Sequence, residues 1–336
     1  MRTKKYAVLS AFLLAAVLTG CDAQGEVTET QPVQTTAVTA QPVTEPKDRE
    51  FIVEPNAIEG LKLVERVYPL GTKYLMIGLN EFDGRSAVLY DAKTNTAEPK
   101  TLKRLSEAGD ILEVVMGAED TVHVFYAYGE NGDERYVETY DSTLTLTDEC
   151  AMEDMLTLDE TTGESVDYPS MQVDADGNSY FLGFDIAGNH QVMVFDKEKQ
   201  YLGSVRGDMR IGDELIRAAD GKVYLMYHGD AQQIMMASVD PSAMTLNTIK
   251  TENVPAYHSD VITGTNGYDF YFQAQEAIYG IHAAEGTSEV VIDWGSTVFD
   301  GNQVHGFYSL PDGSYLVSNT ASSGMDAGTW KMVVKG

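Results

Sequence analysis

The sequence predicts an all-β fold that is built from six similar units. From residue 51 onward, short runs of alternating Tyr and aliphatic residues are separated by turns that contain Asp or Gly. The pattern returns at nearly regular intervals, and such recurrence is typical of repeat folds. Because no long amphipathic helical pattern interrupts the units, the sequence weighs against an α/β fold.

Each unit is located by a turn and by the strand that follows it. The turns are 49, 57, 44, 46 and 46 residues apart and lie at Gly71, Asp120, Gly177, Gly221, Gly267 and Gly313. The strands that follow, interpreted as the first strand of each unit, begin at Lys73, Val122, Ser179, Lys222, Tyr268 and Ser314. Four-stranded blades of this length around an axis form a β-propeller. Six blades are predicted, and a seventh within the longest interval is the alternative.

The two ends of the chain are expected to complete one blade. The last unit is incomplete, because the sequence stops soon after the strand at 330–334. Phe51-Ile52-Val53 is the best candidate for the missing outer strand. Such a closure removes the open sheet edges at which other chains can pair. We therefore predict one propeller domain over residues 51–336.

One unit resembles a known repeat closely. Residues 173–180, 188–196 and 201–203 follow the NHL-type propeller repeat almost position by position, whereas the other units share only its turn and strands. The resemblance implies a six-bladed propeller. It implies no activity, because propellers carry many unrelated functions.

The N-terminal residues 1–20 have the layout of a secretory signal peptide. Arg2, Lys4 and Lys5 form a positive region before an apolar run at 7–18, which is too short to span a bilayer. Leu18-Thr19-Gly20-Cys21 resembles the lipobox of bacterial lipoproteins. This resemblance implies that Cys21 carries lipid and anchors the protein, facing outward, to the bacterial cell membrane. An ordinary signal-peptidase site is the alternative.

Residues 21–50 are predicted to be a disordered tether that follows the lipidated cysteine. The segment is rich in Thr, Gln, Val and Pro, and such a composition buries too little apolar surface to fold. As a coil of roughly 28 residues it reaches on the order of 30 Å. We expect it to hold the domain clear of the membrane.

The charge of the chain limits its partners. The net charge is −29, and it becomes −32 without residues 1–20 because 20 basic and 52 acidic residues remain. A field of this sign repels nucleic-acid phosphates and anionic lipid head groups. We therefore expect no nucleic-acid partner, and we expect membrane attachment to come from the lipid on Cys21.

One turn has the spacing of a calcium loop. Asp174, Asp176 and Asn178 alternate as the first oxygen ligands of such a loop do. The residues that follow continue as a strand rather than a helix, and Asp-Gly-Asn is also what a hairpin turn requires. No cofactor is predicted, and calcium at these three residues is the alternative. Apart from Cys21, Cys150 is the only cysteine, so no disulfide forms within the domain.

The sequence contains no local catalytic motif of the common hydrolase, dinucleotide, NTPase or zinc types. We predict no catalytic residues and a propeller that serves as a binding or scaffolding module for a protein, peptide or glycan. Aromatic residues at 125–128, 224–227 and 270–272 are expected to pack inside blades, and an acidic interval at 148–167 to be a solvated insertion. The alternatives are an accessory domain or fragment of an ABC-importer solute-binding lipoprotein, or a metal-dependent lactonase or glycan-active enzyme.

Overall fold

The computed structural model describes most of the predicted domain. The described residues are 50–106, 110–128, 134–156, 165–206, 214–228, 234–249, 254–255, 260–299, 304–310, 312–319 and 328–335. The predicted signal peptide, Cys21 and the tether up to residue 49 lie outside them. Within the described ranges, no helix is long and apolar enough to cross a membrane.

The described strands form six antiparallel sheets of four strands each. In chain order they are β1 (Phe51–Pro55), β2 (Leu63–Leu70), β3 (Lys73–Leu79), β4 (Arg85–Asp91), β5 (Thr96–Lys100), β6 (Asp110–Met116), β7 (Val122–Tyr128), β8 (Glu134–Tyr140), β9 (Leu146–Ala151), β10 (Ser165–Val173), β11 (Ser179–Phe184), β12 (His190–Phe195), β13 (Tyr201–Arg206), β14 (Glu214–Arg217), β15 (Val223–His228), β16 (Ile234–Asp240), β17 (Thr245–Ile249), β18 (Asp260–Thr263), β19 (Phe270–Gln273), β20 (Ala277–His282), β21 (Thr287–Asp293), β22 (Val304–Ser309), β23 (Tyr315–Asn319) and β24 (Gly328–Val334). A one-turn helix, α1 (Lys103–Ser106), precedes β6. Blades 1 to 5 contain β2–β5, β6–β9, β10–β13, β14–β17 and β18–β21, and blade 6 contains β22–β24 with β1.

The core lies between neighbouring blades. Each of six hydrophobic clusters joins one blade to the next, and the cluster between blades 6 and 1 closes the ring. Strand residues such as Tyr180 and Phe181 are buried on both faces of their sheet for this reason. Val115 and Phe125 of blade 2 share a cluster with Met171 of blade 3, so no blade fits between them. The six-bladed fold is confirmed, and the seventh-blade alternative is wrong.

The sequence pattern located one strand in each of the six blades correctly but assigned it the wrong position within the blade, which we call the phase of the repeat. The strands that we interpreted as first in their units are β3, β7, β11, β15, β19 and β23, and each is the second strand of its blade. The first strand of each blade precedes the turn instead. A periodic pattern determines the repeat length but leaves open the point at which a repeat begins, which accounts for the error.

Blade 6 is closed as predicted. β1 pairs antiparallel with β24, from Phe51 opposite Val334 to Pro55 opposite Trp330. Phe51 and Val53 pack against the cluster between blades 5 and 6. The intervening Ile52 points away and is 46% exposed, as the alternation of side chains along a strand requires.

The propeller has two faces with different structures. The innermost strands β2, β6, β10, β14, β18 and β22 run in one direction around the axis, and several neighbouring pairs contact one another. We call the face where these strands begin the front face and the face where they end the back face. The chain enters at the back face, because Phe51 lies at the end of β24 and the backbone of Glu50 bonds to that of Lys335.

The back face consists of short turns that begin with aspartate. Asp91, Asp141, Asp196 and Asp240 open the turns between the third and fourth strands of blades 1 to 4, and each carboxylate accepts a backbone N–H bond from within its turn. Aspartate is favoured there because its side chain replaces the missing backbone acceptor. These turns are local structures that the sequence specifies within a few residues.

Candidate functional site

Acidic side chains surround the axis at the front face. Glu65, Asp110, Glu113, Glu214 and Asp260 lie in the innermost strands of four different blades, and three of them stand at the first position of their strand. Asp110, Glu214 and Asp260 are exposed, and the other two are half-buried. We call these five residues, together with Arg66, the mouth.

The pKa of the Glu113 carboxyl depends on charged residues from other blades of the ring. Burial raises the pKa of its carboxyl, and the negative charges of Asp260 and Glu214 raise it further. The backbone N–H of Val114, 2.9 Å from the carboxylate, and the charge of Arg66 act in the opposite direction. Because these charges come from blades 1, 4 and 5, the side chain of Glu113 faces the axis.

Arg66 is a cation within this acidic ring. Burial by itself would lower the pKa of Arg66, but Tyr68 and the negative charges of Glu113 and Glu65 outweigh it, so that pKa lies above its ordinary value. Tyr68 and Tyr308 also lie nearby, because the charge of Arg66 affects the pKa of both hydroxyls. Burial strongly raises both pKa values. The mouth therefore combines a permanent positive charge with an excess of carboxylates.

Tyr308 connects the first and last blades beside the mouth. Its hydroxyl donates to the backbone carbonyl of Glu65. Gly306 lies beneath the tyrosine, and a Cβ at this position would stand 2.5 Å from the Tyr308 hydroxyl oxygen. Glycine is thus required by the close approach of the ring. The contact supports the inner edge at the point where the circle of blades closes.

Arg85 supplies a second guanidinium at the rim of the mouth. Its Nε lies 3.5 Å from a carboxylate oxygen of Glu65, and its Nη1 lies 3.4 Å from one of Asp110. These contacts are solvent-exposed and therefore weak. Among the described residues the mouth and its rim hold five carboxylates and two guanidinium groups, so this described part of the opening carries more negative than positive groups.

Three apolar side chains project from the same face. Phe82 is 93%, Ile186 78% and Val298 64% exposed, and these are the highest values among the large hydrophobic residues that the structure describes. Phe82 lies between β3 and β4, Ile186 between β11 and β12, and Val298 between β21 and β22. All three connections belong to the front face. We call these residues the apolar tips.

The backbone around each apolar tip is held in place. Asn80 Oδ1 accepts from the N–H groups of Phe82 and Gly84, at 2.9 and 3.0 Å. Asp185 Oδ1 accepts in the same way from Ala187 and Asn189, at 2.8 and 2.9 Å. Beside Val298, the hydroxyl of Thr297 donates to the Trp294 carbonyl and accepts from the Phe299 N–H. The tips are therefore fixed in an exposed position.

An open cavity of about 320 Å³ lies beside one of the tips. Its walls include Gly60, Asn80, Phe82, Val88 and Pro99 of blade 1 and the segment that leads into it. The lining is mainly apolar, and its polar residues are Asn80, Glu81, Ser86 and Lys100. The cavity extends the apolar surface of Phe82 toward the outside of the ring.

A guanidinium bridges the axis at the back face. Arg217 Nη1, at the end of β14, lies 3.3 Å from the carbonyl oxygen of Met116 and 3.4 Å from that of Gly117. These carbonyls belong to blade 2, so the side chain reaches past blade 3. Burial lowers the pKa of Arg217, and the charges of Asp174 and Asp120 offset part of this effect.

The predicted calcium-loop residues lie in a back-face hairpin turn. The Asp174 carboxylate accepts from the N–H groups of Asp176 and Asn178, from the Asn178 side-chain amide, all at 2.9 Å, and from the Tyr180 hydroxyl at 2.7 Å. Four donors thus point at the oxygens that a cation would use. Among the described residues, no group of three or more His, Cys, Asp or Glu side chains is arranged to hold a metal ion.

Most aromatic residues of the three clusters pack inside the domain as expected, whereas Tyr227 is half-buried and the Tyr128 side chain lies outside the described part of the chain. Phe125, Tyr126, Phe270 and Phe272 are fully buried, and Tyr224 is nearly so. They belong to the clusters between adjacent blades. They are therefore not available to stack on a ligand.

Two described groups near blade 3, the Cys150 thiol and the His123 imidazole, have pKa shifts that disfavour their use as a nucleophile and as a base. Burial raises the pKa of the half-buried Cys150 thiol, which disfavours the thiolate. Burial also lowers the pKa of His123 to about 4, and it lowers that of the neighbouring Lys199.

The mouth and the apolar tips were not among the residues that the sequence predicted. A signal was present, because every mouth residue precedes one of the six recurrent turns by a few positions. With the phase of the repeat corrected, these positions fall at the beginning of the innermost strands. Cys21, which the lipobox resemblance implied to be the lipid-attachment site, lies outside the described residues.

No protein-family model and no curated protein matches the chain. Three solved structures resemble it at low identity. The RRP9 WD40 repeats are 9% identical, with 84% of this chain and 97% of that chain covered at a TM-score of 0.46. TolB from Acinetobacter baumannii is 12% identical, with 78% and 64% covered at 0.44. The soluble aldose sugar dehydrogenase from Escherichia coli is 11% identical, with 85% and 100% covered at 0.46. The six-bladed fold rests on the strand pairing described above, and no activity follows from these similarities.

Proposed function

We propose that this protein is a lipid-anchored, outward-facing bacterial lipoprotein whose propeller binds another macromolecule through its front face and performs no chemistry of its own. The observation that carries the proposal is the group of apolar tips. Three large hydrophobic side chains, each with its backbone held in place, project from one face. Covering such exposed side chains removes apolar surface from water, which favours binding, and fixed backbone reduces the entropy lost on binding.

The position of the chain entry supports the anchored arrangement. A tether that continues from Glu50 joins the propeller at the back face, where Phe51 pairs with Val334. The front face therefore carries no covalent connection to the tether. A macromolecule outside the membrane can approach the apolar tips without displacing the tether.

The anchor is tested by labelling with a fatty-acid analogue and by cell fractionation. We expect the wild-type chain to carry the label and to sediment with membranes. Cys21→Ala should lose the label and leave the membrane fraction, whereas Cys150→Ala, the matched control at the other cysteine, should behave as wild type. A wild-type chain without label, or a Cys21→Ala chain that keeps it, would contradict the lipid anchor.

Glycan cleavage is the second candidate, because Glu113 has a raised pKa and faces carboxylates of other blades. Glycosidases need one protonated carboxylic acid and one ionised carboxylate. In that case Glu113→Gln abolishes hydrolysis in a screen of oligosaccharides, whereas Glu198→Gln on the back face does not. An absence of product with the wild-type chain would leave binding as the function.

A further inference from the structure

We infer that the partner is a protein surface that presents Lys or Arg side chains to the mouth and surrounds them with apolar contacts to the tips. This inference rests on the proposed function, because it names the partner of the same front face. It combines where the apolar tips stand around the ring with the charge that they enclose.

The placement of the tips points to a macromolecule. Phe82 belongs to blade 1, Ile186 to blade 3, and Val298 to the connection between blades 5 and 6. These positions are distributed around the axis, with the mouth between them. A ligand the size of a monosaccharide reaches one tip at most. A partner that covers all three also covers the mouth.

The charge of the enclosed surface determines the chemistry of the partner. The mouth and its rim hold five carboxylates and two guanidinium groups among the residues that the structure describes, and the whole chain carries a net charge of −29. When a partner excludes water here, interactions between charges become stronger. A complementary positive surface lowers the free energy of the complex and accelerates association. An acidic or neutral surface offers the carboxylates no such complementary charge.

The same charge argues against two other occupants of the face. A second copy of this chain, docked front to front, would place two acidic mouths opposite each other. A membrane rich in anionic lipid would be repelled by the mouth as the tips approached it. Both are outcomes that the experiments below distinguish from the inferred partner.

The principal experiment selects ligands from a random-peptide library displayed on phage, with the detergent-solubilised full chain as the target. We expect the recovered peptides to combine Lys or Arg with apolar residues. Their affinity should fall at least about tenfold, a difference of about 1.4 kcal/mol, for a tip variant with Phe82→Ser, Ile186→Ser and Val298→Ser. A mouth variant with Glu214→Gln and Asp260→Asn should weaken binding similarly.

Two matched controls keep the experiment specific. Ile52→Ser, Leu146→Ser and Leu202→Ser remove three exposed apolar side chains from outer strands, and Glu198→Gln with Glu285→Gln removes two exposed charges from the back face. Both sets should bind the peptides as wild type does. Circular dichroism and thermal unfolding of every variant separate a lost contact from a lost fold.

The outcomes separate this inference from the proposed function. Peptides that lack basic residues, or that bind the tip variant as tightly as wild type, would overturn the inference and leave the binding function standing. No ligand from either the peptide library or a glycan array would overturn both.

Two further measurements test the other occupants. Phe82→Trp fluorescence quenched by brominated lipid in reconstituted vesicles would assign the tips to the membrane. A dimer that the tip variant loses would assign them to a second copy. Either result would overturn the inference, and we expect neither.

Discussion

Burial of single side chains sets protonation states in the contact between blades 2 and 3. His123 lies in β7 with its Nδ1 3.0 Å from the Thr139 hydroxyl. Burial, assisted by the charge of Lys199, lowers its pKa from 6.5 to about 4. Between these two values the unfolded chain binds a proton that the folded chain does not. The free energy of unfolding must therefore decrease as the pH falls through this window.

We predict that His123→Gln makes the stability less dependent on acid. Because one pKa unit corresponds to about 1.4 kcal/mol, the wild-type chain should lose on the order of 3 kcal/mol more than the variant when the pH falls from about 7 to about 4. Urea unfolding at several pH values measures the difference. Parallel stability profiles of the two proteins would contradict a buried neutral histidine.

Asp174 is predicted to stabilise its turn through hydrogen bonds. Asp174→Ala removes the acceptor of four donors, including the hydroxyl of the buried Tyr180, and should cost about 2 to 3 kcal/mol of unfolding free energy. Asp176→Ala, at an exposed neighbour, should change it by less than about 0.5 kcal/mol. Thermal unfolding in EDTA and in calcium provides the measurement. A calcium-dependent gain in the wild type that both variants lose would indicate a cation site instead.

These residues show which features the sequence makes predictable. The Asp174 turn is specified within seven residues, so both of its interpretations were accessible from the pattern alone. Glu113 and Asp260 are far apart in the chain, and their charges interact only because the blades are arranged in a ring. The exposure of Phe82 depends on which connections reach the front face. Pattern and spacing therefore predicted turns and strands but missed the mouth.

At the scale of the strand, the sequence predicted correctly that β1 supplies the outer strand of blade 6. The last unit is incomplete in the sequence, and Phe51-Ile52-Val53 offers alternating side chains for its outer strand. Its register with β24 leaves Val53 half-buried and Ile52 exposed. The strand after each recurrent turn was predicted to be the first of its blade and is the second. Both assignments give the same repeat length, so the spacing of the turns does not distinguish them.

We predict unequal effects of two neighbouring substitutions in β1. Val53→Ser should lower the free energy of unfolding by about 1 kcal/mol, because it removes apolar contact with the cluster between blades 5 and 6. Ile52→Ser, on the other side of the strand, should have an effect near zero. Chemical denaturation compares the two variants. Equal effects would show that β1 does not pack against blade 6 in this register.

The two faces of the whole molecule carry different groups of residues. The back face contains short aspartate turns, the chain entry and the Arg217 bridge. The front face contains the mouth and the apolar tips, which come from several blades. The chain entry at Phe51 and the inferred binding surface consequently lie on opposite faces. The collective charge of the front face also affects the stability of the ring itself.

We predict that salt stabilises the propeller. A net charge of −29 repels itself in the compact state, and the screening length falls from about 30 Å at 0.01 M to about 10 Å at 0.1 M salt. The unfolding temperature should therefore rise over this range, by about 2 to 4 °C for each kcal/mol gained.

The mouth variant with Glu214→Gln and Asp260→Asn should respond less to salt than the back-face variant with Glu198→Gln and Glu285→Gln, because its two lost charges come from the most crowded acidic region. Scanning calorimetry at matched pH measures both responses. If salt lowered the unfolding temperature instead, surface ion pairs such as that between Lys103 and Glu149, 2.6 Å apart, would outweigh the repulsion among the carboxylates.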